Sequence, residues 1–269
     1  MTYQPLDALC DIQALVIDMD GVLWRGDNPM PGLSDFFEFL RERPVAFRLA
    51  TNNASRSPDQ YVKKLASMGV VVRPDDILTS AVVTAQHIAA IAPGTSVYAI
   101  GDGTRQAVLD YGLELSAGEH ADFVAVGWDP KLTYKELSEA TLLIHAGAKF
   151  IGTNPDRTLP TERGLLPGNG AILACLQAAT DVEPFIIGKP ERSMFDAALA
   201  AIGIDAGHTA VLGDRLETDI LGGQKAGLRT IMVLTGVNHE ADLAVSPVKP
   251  DWVFEDIQEL TRVWSHLTC

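Results

Sequence analysis

The chain has 269 residues, 47% of them hydrophobic and 21% charged, and its 35 Asp plus Glu against 21 Lys plus Arg give a net charge of −14. That length buries a large core in one domain or two, while the acidic balance argues against nucleic-acid backbones and anionic membranes as partners. No apolar run approaches the ~18 residues of a membrane span, and no charged segment followed by an apolar one opens the chain, so a cytoplasmic enzyme is the expectation.

The apolar run Ala14–Ile17 has the length and β-branched content of a buried strand, and Asp18-Met19-Asp20-Gly21-Val22-Leu23-Trp24 follows it directly. Open parallel sheets bind ligands outside the carboxyl ends of their strands. Of two acids leaving such a strand, the first can attack a phosphorus atom and the second can exchange protons with the leaving group. Gly21 lets the backbone turn sharply behind them. Asp-x-Asp-Gly also occurs in surface turns and calcium loops. A calcium loop needs oxygen ligands where Val22, Leu23 and Trp24 stand, so turn and catalytic site remain, and the rest of the chain decides between them.

Residues 33–43 alternate apolar and charged side chains at helical spacing, and a second strand over 45–50 ends in Thr51-Asn52-Asn53-Ala54-Ser55. Residues of this kind either cap the next turn or, with a helix over 57–68 opening near Pro58, converge on an anion. A helix over 80–92 leads into a self-contained series: a strand at Ser96–Ile100, a helix near 105–111, a strand at Phe123–Val126, a helix over 134–146 and a strand at Lys149–Gly152. That last strand runs into Thr153-Asn154-Pro155-Asp156, and Asn169–Thr180 is the closing helix. With βα units on either side, residues 81–182 read as an α/β domain inserted into a first domain made of 1–80 and 183–269. Within the insertion Asp102 reads as a turn residue and His145 as a packed or partly exposed histidine.

The first domain is expected to resume near Pro184 with a strand over 185–187, then Gly188-Lys189-Pro190-Glu191, Pro190 suiting the first turn of a helix that runs to 202. Lys189 is either solvated or a fixed point charge reaching over a site. A strand over 209–212 delivers Gly213-Asp214-Arg215-Leu216-Glu217-Thr218-Asp219. Asp214 is placed to join Asp18 around a divalent cation with Asp219 in support, and Asp219 also suits the first turn of a helix. Strands over 229–234 and Trp252–Phe254 and a helix over 256–266 complete the chain. Cys10, Cys175 and Cys269, odd in number, scattered and without metal-ligand spacing, fit a reducing compartment and read as packing or surface residues.

Four loops, at Asp18/Asp20, Thr51/Asn53, Lys189 and Asp214/Asp219, thus carry acids, a hydroxyl, amides and one amine in a specific order. Asp-x-Asp-Gly-Val-Leu-Trp, Ala-Thr-Asn-Asn, Gly-Lys-Pro and Gly-Asp-x-x-x-Thr-Asp resemble the haloacid dehalogenase superfamily, in its NagD-like, 4-nitrophenylphosphatase subfamily with a large α/β cap after the second motif. The resemblance covers nearly the whole chain. It implies an α/β fold with a doubly wound, mostly parallel sheet and an inserted cap. It also implies Asp18 as the nucleophile forming an aspartyl-phosphate, and Asp20 as acid to the leaving alcohol and then base to water. Thr51 and Lys189, with Asn52 and Asn53 beside them, would hold phosphoryl oxygens. Mg²⁺ would be bound by Asp18, Asp214 and the carbonyl of Asp20, with Asp219 close by.

The cap loop of the family that reaches the leaving group corresponds here to residues 153–160, which makes Asn154 and Asp156 the candidates for specificity. Relatives of the eukaryotic pyridoxal-phosphate phosphatase type carry His before the Pro of that loop, whereas this chain has Leu159, which speaks against that substrate. The resemblance leaves sugar phosphates, nucleoside monophosphates and phosphoglycolate open as small phosphorylated partners, and implies a homodimer through the cap. Rival readings are a phosphomutase of the same superfamily and a non-catalytic phosphate-sensing scaffold. The thirteen or so residues between Trp24 and the helix containing Phe37 are too few for a phosphomutase's helical cap, and a scaffold would lose an acid that this chain keeps.

Overall fold

The computed structural model describes residues 3–161 and 164–269. In chain order the elements are β1 (Ala14–Ile17), the hairpin β2 (Trp24–Arg25) and β3 (Asn28–Pro29), α1 (Leu33–Glu42), β4 (Ala46–Thr51), α2 (Pro58–Ser67), β5 (Ile77–Thr79) and α3 (Ser80–Ile91). Next come β6 (Ser96–Ile100), α4 (Asp102–Asp110), β7 (Glu114–Leu115), β8 (Phe123–Val126), α5 (Tyr134–His145), β9 (Lys149–Gly152), the hairpin β10 (Thr158–Thr161) and β11 (Gly164–Pro167), and α6 (Asn169–Thr180). The last third carries β12 (Phe185–Ile186), α7 (Arg192–Ile202), β13 (Thr209–Gly213), α8 (Leu221–Ala226), β14 (Arg229–Val233), α9 (Glu240–Val245), β15 (Trp252–Phe254) and α10 (Ile257–Ser265). None of the described helices is long and apolar enough to cross a membrane.

Two compact units result: the chain up to Thr51 with Pro58–Leu78 and Lys189–Cys269, and Asn52–Ser57 with Thr79–Gly188. The first is built on a six-stranded sheet of order β15-β14-β13-β1-β4-β5, in which β1 pairs in parallel with both β13 and β4. Strands β1 and β13 are buried along their whole length, as befits a parallel sheet covered on both faces. Leu15, Ile17 and Leu212 share a core with Phe36 and Phe37 of α1 and Leu260 and Trp264 of α10, while α7 packs against β1 and β4. Ile17 lies between Leu49 and Leu212 in the register. The three strands therefore release the chain at one edge, and Asp18, Thr51 and Asp214 leave it together.

The second unit repeats the architecture on a five-stranded sheet of order β12-β9-β8-β6-β7, with all of its pairs parallel. Ile100, Val124 and Val126 pack with Leu143 and Ile144 of α5 and Leu173 and Leu176 of α6. A reciprocal cap starts α5: Thr133 Oγ1 accepts from the Glu136 N–H at 3.2 Å, and Glu136 Oε2 accepts from the Thr133 N–H at 2.8 Å. The α/β class with mostly parallel sheets is as the sequence implies.

Three local expectations are corrected. The strand expected at 185–187 in the resumed first domain instead joins the second sheet, Phe185 beside Ile151 and Ile186 beside Gly152. So short an apolar strand carries no mark of the sheet it joins; tertiary pairing decides. Pro190 precedes α7, which begins at Arg192 after Glu191, because a proline suits the extended approach to a helix as well as its first turn. Finally, Cys10 and Cys269 form a disulfide, their Cα atoms 5.2 Å apart, and only Cys175 is a free, exposed thiol. Scatter along the chain is no bar to pairing in space: Leu9 and Trp264, neighbours of the two ends, share one core. The cysteine pattern therefore lends no support to a reducing compartment.

The disulfide closes a loop of sequence separation 259, so opening it releases the unfolded chain from a long constraint. Cys269→Ser, or reduction of the native protein, is expected to lower stability by about 2–4 kcal/mol in urea denaturation. Three titratable thiols in the denatured, unreduced protein would refute the pairing.

Candidate active site

At the end of β1 the Asp18 N–H donates to the Leu212 carbonyl at 2.8 Å, so the residue is still held by the sheet where its side chain leaves it. The Asp18 side chain is 12% exposed. Lys189, 2% exposed, donates from its ammonium to Asp18 Oδ1 at 2.5 Å, Asp219 Oδ1 at 2.7 Å and the Ala50 carbonyl at 2.9 Å. Because Ala50 precedes Thr51 on β4, this one side chain ties three strand-end segments together.

Asp214 and Asp219 are buried, and their positions depend on close backbone. Asp214 Oδ2 accepts from the Val237 N–H at 2.6 Å, and the Asp214 carbonyl accepts from Asn238 N at 3.2 Å. A Cβ on Gly236 would fall 1.7 Å from Asp214 Oδ2, and one on Gly21, whose φ is +88°, would fall 2.7 Å from it. Only glycine leaves room for that carboxylate at these two positions. The Asp219 carboxylate turns back to accept from the Arg215 N–H at 3.2 Å through Oδ2. Among the described residues, ligand oxygens of Asp18, Asp214 and Asp219 lie within 4.8 Å of one another.

Fully ionised, three carboxylates face one ammonium here, an imbalance that is costly out of water. Burial pushes the Asp18 carboxyl well up, reinforced by Asp219 and Asp214 against the pull of Lys189. Burial, with Asp219 alongside, likewise pushes Asp214 up to about 6. For Lys189, burial alone would lower its value, but the carboxylates of Asp18 and Asp219 outweigh it and hold the ammonium charged. A divalent cation removes this frustration, and carboxylates at shared-ligand distance are the donors it takes. The residues present therefore fit such an ion.

The remaining candidates divide. Asp20 is exposed, and its Oδ1 accepts from Trp24 Nε1 at 2.7 Å. Trp24 is fully buried and stacks on Tyr61, which fixes the rotamer of Asp20. Thr51 is buried at the end of β4. Asn53 Oδ1 accepts from Ser55 N at 3.0 Å and Ser55 Oγ at 2.6 Å, so that side chain closes its own turn. Asn52, Asn53, Asn154 and Asp156 all belong to the second unit. There Asn52 Nδ2 reaches Asp156 Oδ2 at 3.4 Å, and Asn154 donates from Nδ2 to the Asn52 carbonyl at 2.7 Å.

Thr235-Gly236-Val237-Asn238 is the loop that sequence reasoning missed. Its signal was present, since it follows the apolar strand β14 as the other site loops follow theirs.

Without a cation, the raised Asp214 carboxyl makes the folded chain bind more protons than the unfolded one between pH ~4 and ~6, so its contribution to stability falls as pH rises through that window. Metal-free Asp214→Asn is thus expected to gain in melting temperature over metal-free wild type as pH climbs from 4 to above 6. Added Mg²⁺ or Mn²⁺ should stabilise the wild type alone, and the concentration needed should rise below pH ~6. A variant that gains nothing, or responds to cations as wild type does, would contradict the site.

Residues 15–114 match the family model for haloacid dehalogenase-like hydrolases, and residues 186–260 match a second, HAD-hydrolase-like model. An acid sugar phosphatase of Staphylococcus aureus is 40% identical over 248 residues, 92% of this chain and 96% of that protein. The crystal structure of 4-nitrophenylphosphatase from Thermotoga maritima superposes with a TM-score of 0.91 at 35% identity, covering 95% of this chain and 98% of that one. NagD from E. coli K-12 superposes with a TM-score of 0.85 at 31% identity, covering 92% and 98%. The buried acids at the sheet edge and these likenesses agree, and the chain belongs to the haloacid dehalogenase-like hydrolases, as a NagD-like phosphatase.

Proposed function

We propose that the chain is an Mg²⁺-dependent phosphomonoester hydrolase that works through an aspartyl-phosphate on Asp18 and acts on small phosphorylated metabolites. Sugar phosphates, nucleoside monophosphates and phosphoglycolate are the classes we have in view. The observation that carries this reading is the buried set Asp18, Asp214 and Asp219 around the Lys189 ammonium. Phosphoryl transfer asks mainly for alignment and charge neutralisation, and an acid cluster with one amine offers both. The acid sugar phosphatase and 4-nitrophenylphosphatase relatives support the substrate class.

Asp18, Asp214 and the Asp20 carbonyl would hold the ion, with Asp219 beside it. Bound there, it would supply positive charge for the phosphoryl oxygens and keep Asp18 ionised. Asp18 has two carboxylate oxygens, so one can stay with its cationic partner while the other attacks phosphorus. As that bond forms, the bond from phosphorus to the ester oxygen breaks, and Asp20 gives its proton to the departing alkoxide. Asp20 then takes a proton from water as the water oxygen attacks phosphorus. The acyl-phosphate bond breaks, releasing inorganic phosphate and the Asp18 carboxylate. Thr51 and Lys189 are assigned to the phosphoryl oxygens, and Trp24 keeps the Asp20 carboxyl aimed. Substrate choice is assigned to the inserted unit, with Asp156 as its candidate contact, and we expect two such units to pair in a homodimer.

The purified protein should release phosphate from 4-nitrophenyl phosphate with Mg²⁺ and stop when the metal is chelated. Asp18→Asn should abolish turnover. Asp20→Asn should slow it by roughly 10²–10⁴-fold while calorimetry finds Mg²⁺ binding nearly unchanged. Activity that survives Asp18→Asn at the wild-type rate would overturn the mechanism.

A further inference from the structure

Sequence reasoning offered Asn154 as a specificity contact, yet the residue is 5% exposed and its amide is engaged at both ends. Nδ2 donates to the Asn52 carbonyl at 2.7 Å, and Oδ1 accepts from the Asp156 N–H at 3.1 Å. The same Asn52 carbonyl accepts a second bond, from Ser80 Oγ at 2.7 Å. One residue back from Asn154, the Thr153 carbonyl accepts from the Gly188 N–H at 2.9 Å, and the Gly152 carbonyl accepts from Ile187 N at 3.1 Å.

These bonds lie inside the second unit, but their positions along the chain are not arbitrary. The chain passes between the units at 51/52, 57/58, 78/79 and 188/189. Asn52 and Gly188 adjoin two of those passages, and Ser80 is two residues from a third. Two of the four are thus bonded to one turn, Thr153–Asn154, and a third, through Ser80, shares the Asn52 carbonyl with it. Across the peptide bonds from Asn52 and Gly188 stand Thr51 and Lys189, the two residues assigned to the phosphoryl oxygens.

The turn is in turn held from behind. Asn169, 1% exposed at the start of α6, points Nδ2 at the Val126 carbonyl (3.1 Å), Thr153 Oγ1 (3.3 Å) and the Asn154 carbonyl (3.0 Å). Two of these partners are carbonyls, which only the amide nitrogen can serve. At Gly188 a Cβ would fall 2.5 Å from Asn52 Oδ1 and 2.6 Å from the Thr153 carbonyl, so the chain there lies flat against the turn because the residue is glycine.

We propose that Asn154 and Asn169 are positioning residues: the Thr153–Asn154 turn is a clasp that sets Asn52 and Gly188, and through them Thr51 and Lys189. This inference rests on the phosphatase reading above. It makes Asn154 a positioning residue for Asn52 and takes it away from the leaving group.

The test compares Asn154→Asp, which removes the donor to Asn52 at almost constant volume, and Asn169→Asp, which removes the donors to the turn, with Ser80→Ala as a milder cut at the same carbonyl. For each variant kcat/KM is measured with 4-nitrophenyl phosphate and with a hexose phosphate, together with inhibition by inorganic phosphate and hydrogen exchange of the Gly188 amide. Asn154→Asp and Asn169→Asp should lower kcat/KM by about tenfold or more, by the same factor for both esters. Phosphate inhibition should weaken in parallel, and Gly188 should exchange faster. Ser80→Ala should show the same pattern at a few-fold and keeps the test open if the others fail to fold. A loss confined to one ester with phosphate inhibition unchanged would make Asn154 a leaving-group contact and overturn the proposal. So would unaltered exchange at Gly188. The exchange measurement needs no turnover, so an inactive wild type would count against the phosphatase reading alone.

Discussion

The buried ammonium of Lys189, held between Asp18 and Asp219, is the constraint on which the rest of the site depends. Each of its hydrogen bonds reaches a different strand end: the acid after β1, the carbonyl of Ala50 on β4 and the acid beyond β13. A charge placed there is tolerable only because carboxylates surround it, and those carboxylates are tolerable only in the presence of more positive charge. The parallel sheet supplies the geometry for this exchange at no extra cost, since neighbouring strands in register deliver their following residues to one edge. The site is thus strained electrostatically by construction, and the strain points toward what it binds.

Room for that charge is made by absence of side chains. Gly21 and Gly236 both stand against the Asp214 carboxylate, and Gly213 stands against Asp219, where a Cβ would come within 2.2 Å of the Asp219 Cβ. Any larger residue at these positions would displace an acid from the cluster before it altered the sheet. The chemistry of the acids and the spacing of the glycines are therefore one design feature.

Much of this was legible in the residues. Buried parallel strands announce themselves by continuous apolar runs such as Ala14–Ile17 and Phe123–Val126, and the acids and glycines that follow a run mark where it meets solvent or ligand. The strands and helices of the second unit's sheet were legible for the same reason, since they repeat the strand-helix alternation without sharing the motifs. What escaped was whatever depends on pairing at a distance. Two apolar residues at 185–186 look alike in either sheet, and two cysteines at opposite ends of a sequence look unrelated until the elements beside them pack. Asn169 was invisible as a site residue because an asparagine opening a helix has an ordinary local explanation. Only the position of the Thr153–Asn154 turn gives it a second use.

The covalent link between residues 10 and 269 turns nearly the whole polypeptide into a closed ring. A single cleavage anywhere within that ring leaves one covalent molecule, which separates into fragments only when a thiol is added. It also means that new chain ends opened at an exposed turn would leave the sequential order around the ring intact, so a permuted chain keeps its original connectivity through sulfur.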